Sequence, residues 1–147
     1  MRTVLLTLTL VMLLSSVALA WSHWWSENPA GYLEMSTFRH EQNGRLLIQM
    51  RPIFEGVGWA VDWDPDGKRL AASHGDARIE MQVGSSTALV GGQAQTLEVA
   101  PRIIEGVVYV PLRYVCEMTG AKVQYLGRAV RVTSPDGIVL LVHLMGV

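Results

Sequence analysis

Three patterns in this 147-residue chain bring together residue types that chemistry requires. Asp62-x-Asp64-x-Asp66-Gly67 opens like a calcium loop, in which alternating carboxylates meet one cation and Gly permits the bend. The twelfth position of such a loop calls for Glu and holds Ser73, so the segment reads alternatively as a charged hairpin turn. Arg51/Glu55 and Arg113/Glu117 set a basic and an acidic residue at i, i+4 in two places. Each pair is either an anion or ligand clamp or a structural tie between a helix start and its neighbours. Arg preceding Glu is the weaker order on a bare helix, so the structural reading has each Arg bonding backbone carbonyls or another acid. Trp21, Trp24, Trp25 and Trp59 form the third pattern. Trp21, Trp24 and Trp25 are either a sticky anchor for wall, glycan or membrane surface, or rings that tuck onto the core; together with Trp59 they are the exposed aromatics that a glycan- or peptide-binding module would use.

Other chemistry finds less support. His23, His40, His74 and His143 are scattered, with no pair at metal-ligand spacing. No Gly-x-Ser-x-Gly occurs and no Cys/His pair is placed by sequence, which leaves a small hydrolase only as a site assembled in space. Cys116 is the single cysteine and cannot form an internal disulfide. It reads as a buried, inert thiol, with intermolecular pairing in an oxidising compartment as the alternative. The formal net charge is −1 with no basic patch, which argues against nucleic acid as a partner. No cofactor is expected.

The elements that must position these residues come in two similar stretches. Asn43–Trp63 lies over Glu105–Tyr125 at a constant offset of 62 without a gap. Gly44, Arg51, Glu55, Gly58 and Val61 fall on Gly106, Arg113, Glu117, Gly120 and Val123; Met50, Ile53 and Trp63 fall on Leu112, Val115 and Tyr125. In each stretch an apolar run containing β-branched residues predicts a strand, Leu46–Ile48 and Val107–Val110. The period then changes. Met50, Ile53, Phe54 and Val57, like Leu112, Val115, Cys116 and Thr119, are spaced i, i+3, i+4, i+7, one apolar stripe on a short helix. Gly58 and Gly120 follow as C-terminal caps. Val61/Trp63 and Val123/Tyr125 then alternate as one buried strand face. Helices this short need a sheet beneath them. The expectation is an α+β fold: a twisted antiparallel sheet packed on two short helices, built by internal duplication of a strand–helix–strand unit.

Residues 1–20 read as a signal peptide, with Arg2, an apolar run and Ala18-Leu19-Ala20 before the cleavage point. Left uncleaved, the run would serve as a membrane anchor; after cleavage no membrane span is expected. Residues 21–31 read as a Trp-rich linker, and 32–147 as one domain with half-repeats at about 43–83 and 105–145. Tyr32–His40 predicts a first strand. Between the two stretches, Asp64-Pro65-Asp66-Gly67, Ser73–Asp76 and Gly91-Gly92 punctuate a series of short strands. Arg128–Thr133 and Ile138–Leu144 are strands around the turn Ser134–Gly137.

A family resemblance rests on particular residues. These are Gly84-Ser85-x-Thr87-Ala88-Leu89-Val90-x-Gly92, then Val99-Ala100-Pro101-Arg102-Ile103-Ile104-x-Gly106, Tyr109-Val110-Pro111-Leu112-Arg113 and Glu117-x-x-Gly120-Ala121-x-Val123. Together they resemble the copper amine oxidase N-terminal-like domain, or stalk domain, of secreted bacterial proteins. The likeness runs from about Met35 to the C-terminus; Gln49-Met50 departs from the family's usual Pro-Leu. The resemblance implies an antiparallel sheet packed on helix and an accessory module without catalytic residues. Oxidase chemistry would need a His-x-His pair with a distant third His and an Asn-Tyr quinone site; the sequence has neither the His-x-His pair nor an Asn-Tyr.

The sequence therefore points to a secreted, non-catalytic structural or adhesive stalk module, not an enzyme, acting outside the cell and in contact with the cell wall. Its partners would be wall polymer or another secreted protein. The alternative is a specific glycan- or peptide-binding module of the wall.

Overall fold

The computed structural model describes residues 26–27 and 30–146. The expected leader, and Trp21, Trp24 and Trp25, lie outside the described residues. Within them the chain is mostly β, with fourteen strands and two short helices in three sheets.

A central sheet takes the order β10 (Arg102–Ile104), β11 (Val107–Pro111), β4 (Arg45–Gln49), β3 (His40–Gln42). A meander of β5 (Ala60–Asp64), β6 (Arg69–His74), β7 (Ala77–Gln82), β8 (Thr87–Val90) and β9 (Gln93–Thr96) forms the second. The third runs β1 (Ser26–Glu27), β2 (Leu33–Phe38), β14 (Val139–Met145), β13 (Ala129–Thr133), β12 (Lys122–Tyr125). In it β14 runs parallel to β2.

This corrects the α+β expectation. The two helices, α1 (Met50–Gly56) and α2 (Leu112–Thr119), each follow a strand and precede another, but those strands do not share a sheet. α1 carries the chain from β4 in the central sheet to β5 in the meander. α2 carries it from β11 in the central sheet to β12 in the third sheet. Both helices lie against β4 and β11 of the central sheet, but the strand that follows each belongs to a different sheet, so neither strand–helix–strand unit closes on itself. Local periodicity marks a strand without naming its partner, and here the partner of β4 is β11, at long range. Between the two stretches, β6 to β9 pair onto β5 to complete the meander, while β10 joins the central sheet.

The β4–β11 register is informative. Ile48 lies directly opposite Val110, its counterpart 62 positions on, while Gln49 faces Tyr109 and Leu47 faces Pro111. A local two-fold passes through the Ile48–Val110 pair, so whatever flanks one end of β4 has an equivalent at the other end of β11.

Both helices are held by their stripes. Met50, Ile53, Phe54 and Val57 are all buried, as are Leu112, Val115, Cys116 and Thr119. They join residues of all three sheets in one core, including Ile48, Leu70, Ile79, Val110, Val132 and Leu140. Burying each large aliphatic chain of this kind contributes about 1.5–3 kcal/mol. The Thr119 hydroxyl is the polar member of the stripe, and it donates to the Val115 carbonyl at 2.8 Å. On the other face of the central sheet, Leu47, Val99 and Tyr109 form a small second cluster.

The helix ends follow from glycine. Gly58 takes φ +90, its N–H donates to the Glu55 carbonyl at 3.0 Å, and Trp59 N–H donates to Phe54 at 2.9 Å. This is a Schellman cap, whose usual apolar contact is made by the Trp59 and Phe54 rings at 6.5 Å. α2 ends on Gly120 at φ +74, with its N–H directed to the Glu117 carbonyl at 3.4 Å.

Candidate functional site

A cleft of about 520 Å³ opens beside α2, where the second helix meets the ends of the central and third sheets. Its charged lining alternates in sign: Arg39, Arg45 and Arg113 against Glu41, Glu98 and Glu117. Leu46, Pro111 and Leu144 supply buried apolar wall, and Tyr114 and Tyr125 line it as well. Two of the three opposite-charge pairs are closed. Arg39 Nε donates to Glu41 Oε1 at 2.8 Å, two residues apart. Arg45 donates to Glu98 across 53 residues of sequence. That hydrogen bond, with the Glu98 charge behind it, holds the Arg45 guanidinium above its ordinary pKa. Tyr114 O–H donates to Gln95 Oε1 at 2.9 Å, tying α2 to β9. Burial and then the Glu117 charge push the Tyr114 phenol up.

The third pair, Arg113 and Glu117, is open. Both side chains belong to exposed residues of α2. The Arg113 guanidinium lies over the Tyr125 ring, 5.9 Å from its centroid, a cation–π contact.

At the other end of the local two-fold is a second cleft, of about 260 Å³, lined by Arg51, Pro52, Trp63, Gly106, Val107 and Val108 among others. At the offset of 62 these are the counterparts of Arg113, Tyr114, Tyr125, Gly44, Arg45 and Leu46, all of which line the larger cleft. The two clefts are thus the same place in the fold with different side chains. In the smaller one Arg51 Nη1 stands 3.0 Å from Glu55 Oε1, so the helical pair closes on itself. That corrects the expectation that each Arg would turn to carbonyls or to another acid.

Other expected site residues are placed as follows. Asp62 and Asp64 are exposed on β5, and Asp64 Oδ1 accepts the Asp66 N–H at 3.0 Å in the turn to β6. A Cβ on Gly67 would meet Asp64 Oδ2 at 2.5 Å, the far end of an exposed side chain that can swing aside. Among the described residues no group of three or more His, Cys, Asp or Glu gathers to hold a metal ion. Trp59, expected among the exposed aromatics, is corrected to a core residue: it is 8% exposed, stacked on His74 at 5.8 Å. Its place in the Schellman cap turns it inward. Cys116 is buried in the α2 stripe, where burial pushes its thiol up to about 12. Arg39, Glu41, Arg45, Glu98 and Tyr114 were not singled out by sequence. Arg39/Glu41 carries a local signal, opposite charges two apart beside a strand, whereas Arg45–Glu98 has none.

A family model described as the copper amine oxidase N-terminal domain matches residues 31–133. The chain belongs to this family. The matched span of the N-terminal-type domain includes both helices and most of the larger cleft, and it stops before β14. A curated protein of Brevibacillus choshinensis named "Protease inhibitor" is 27% identical over 105 residues. The alignment covers 71% of this chain and 32% of that protein, so the chain spans about a third of the length of this relative. No helix among the described residues is long and apolar enough to cross a membrane.

Proposed function

We propose that the domain is a secreted, non-catalytic module that works by contact, as a structural or adhesive stalk at the cell envelope or in support of a partner protein. The observation that carries this reading is the chemistry of the larger cleft. Its carboxylates Glu41 and Glu98 are engaged by arginines, and its remaining polar groups are Arg, Glu, Thr and Tyr, with no nucleophile set beside a base. Such a lining can hold a ligand by charge. The leader-like residues 1–20 support export. The Brevibacillus relative, by its name, acts on another protein, which supports a protein partner for this chain as well. The reading of two half-repeats, at about 43–83 and 105–145, is supported by the β4–β11 register.

A second reading, a specific peptide- or glycan-binding module, is favoured by the size of the cleft, which is in the range of ligand sites at about 300–1,000 Å³. The test expresses the full chain with its leader. The expected result is an exported protein whose N-terminus begins at Trp21, which co-sediments with purified cell wall or a secreted partner and turns over neither amine nor ester and peptide substrates. Turnover abolished by substitution in the cleft would overturn the reading, and so would retention of the chain in the cytoplasm.

A further inference from the structure

Among the differences between the two equivalent clefts is the state of the one ion pair that recurs in both. Arg51 and Glu55 satisfy each other at 3.0 Å, while the same pair in the larger cleft stands open with Arg113 drawn onto Tyr125. We propose that Arg113 and Glu117 form a two-point receptor for an extended polypeptide segment carrying one acidic and one basic side chain two residues apart. This rests on the reading of the domain as a non-catalytic contact module.

Charge selects the class of ligand. Three arginines alternate with three glutamates, so a polyanion meets as much repulsion as attraction. A neutral glycan would cover charged groups without giving them partners, which costs free energy. A segment with both signs matches both. Since Arg39 is engaged by Glu41, and Arg45 by Glu98, recognition falls to Arg113 and Glu117.

Spacing selects the conformation. Residues i and i+4 of a helix are about 6 Å apart along its axis. Residues i and i+2 of an extended chain lie on one side, about 6.6 Å apart. An acid and a base at i, i+2 therefore stand opposite Arg113 and Glu117 together. Their aliphatic stems have the buried Leu46 and Leu144 to lie against.

The cleft wall also suits a main chain. β12 is the outer strand of its sheet. Leu126 N–H donates to the Ala129 carbonyl at 2.8 Å, and Gln124 faces Arg131 in the same register. The alternation of an antiparallel ladder then turns the peptide group of Tyr125, the β12 residue that lines the cleft, away from β13 and toward the side an added strand would take.

The experiment measures binding of fluorescein-labelled, end-blocked peptides to the full chain by anisotropy at low and at moderate salt. The probes are Ala-Glu-Val-Lys-Ala, its reverse Ala-Lys-Val-Glu-Ala, and the neutral Ala-Gln-Val-Gln-Ala, with polyphosphate and chitohexaose as competing classes. One of the two charged peptides is expected to bind at least about tenfold tighter than the neutral one and to weaken with salt. Arg113→Gln and Glu117→Gln are each expected to lose about tenfold, while Arg51→Gln leaves binding unchanged. Arg113 and Glu117 belong to exposed residues, so thermal unfolding of these variants should stay near that of the parent and certify the fold. Equal affinity for charged and neutral peptides would overturn the proposal. So would tighter binding of polyphosphate or chitohexaose, or binding indifferent to Arg113 and Glu117. Any of these results alongside intact wall or partner association would sink the two-point receptor alone and leave the contact-module reading standing.

Discussion

The larger and smaller clefts occupy equivalent places around the Ile48–Val110 pair, yet one is lined by six charged residues and the other is mostly apolar, with Arg51 its one charged lining residue. Arg45 stands where the smaller cleft has Val107, and Tyr114 stands where it has Pro52. Glu98 comes from the loop after β9 to meet Arg45. The difference separates two kinds of residue. Those that build the frame, the stripe and the capping glycines, agree between the halves. Those that line the clefts diverge, which is where different work is expected of two copies of one arrangement.

The sharpest way to break this comparison is inside the stripe, at the position where the halves differ most in size. Phe54 and its counterpart Cys116 are both buried, at 0% and 1% exposure. Phe54→Ala should cost about 3–5 kcal/mol, whereas Cys116→Ala removes one sulfur and should cost on the order of 1 kcal/mol. Chemical denaturation midpoints check both. Equal losses would mean that the two helices are not supported in the same way.

The capping glycines come next. Alanine at either position must adopt the left-handed conformation, at about 1–2 kcal/mol. Gly120→Ala should cost more than Gly58→Ala, because its Cβ would meet Pro135 Cγ at 3.3 Å while that of Gly58 meets nothing within 4 Å. Thermal unfolding of the two variants gives the order. The reverse order would place the strain in the backbone alone.

Cys116 sharpens the contrast through pH. Its folded pKa is raised from 9.0 to about 12 by burial and then by Glu117. Below pH 9 the thiol is protonated in both states and adds no pH dependence. Above it only the unfolded chain releases the proton, so stability falls as pH rises toward 12, by about 1.4 kcal/mol per unit at most. Phe54, at the equivalent position, has nothing to titrate. Denaturation at pH 8 and pH 10 should show a steeper loss for the parent than for Cys116→Ala. Iodoacetamide at pH 8 should label the thiol only when denaturant is added.

How much of this was legible beforehand divides along the same line. The stripe residues, the capping glycines and the hairpin turns were readable because each is set by neighbours within a few positions. Ile53 and Val115 are fully buried on helices, as their spacing predicts. The assembly into three sheets was not readable, since the β4–β11 pairing spans 62 residues and nothing local distinguishes it from a pairing within one unit. The cleft was legible only in part. Arg113 and Glu117 stood out by recurrence, while Arg45 and Glu98 meet through the fold alone. Trp59 belongs to the core rather than to a binding surface, because the Schellman geometry folds it back onto Phe54, a placement that ring size alone does not signal.

The smallest effect tests the pair that differs between the clefts. Arg51 and Glu55 side chains are 38% and 32% exposed, so their ion pair is largely screened by solvent and should contribute only about 0.3–0.5 kcal/mol. Glu55→Gln should lower stability by that amount at low salt and by less at high salt. Glu117→Gln should show no such salt-dependent loss, because Arg113 is held on Tyr125. A double-mutant cycle on each pair measures the coupling directly. Coupling in Arg113/Glu117 as strong as that in Arg51/Glu55 would mean that the open pair closes in solution, and the larger cleft would then have no unengaged charges to offer a ligand.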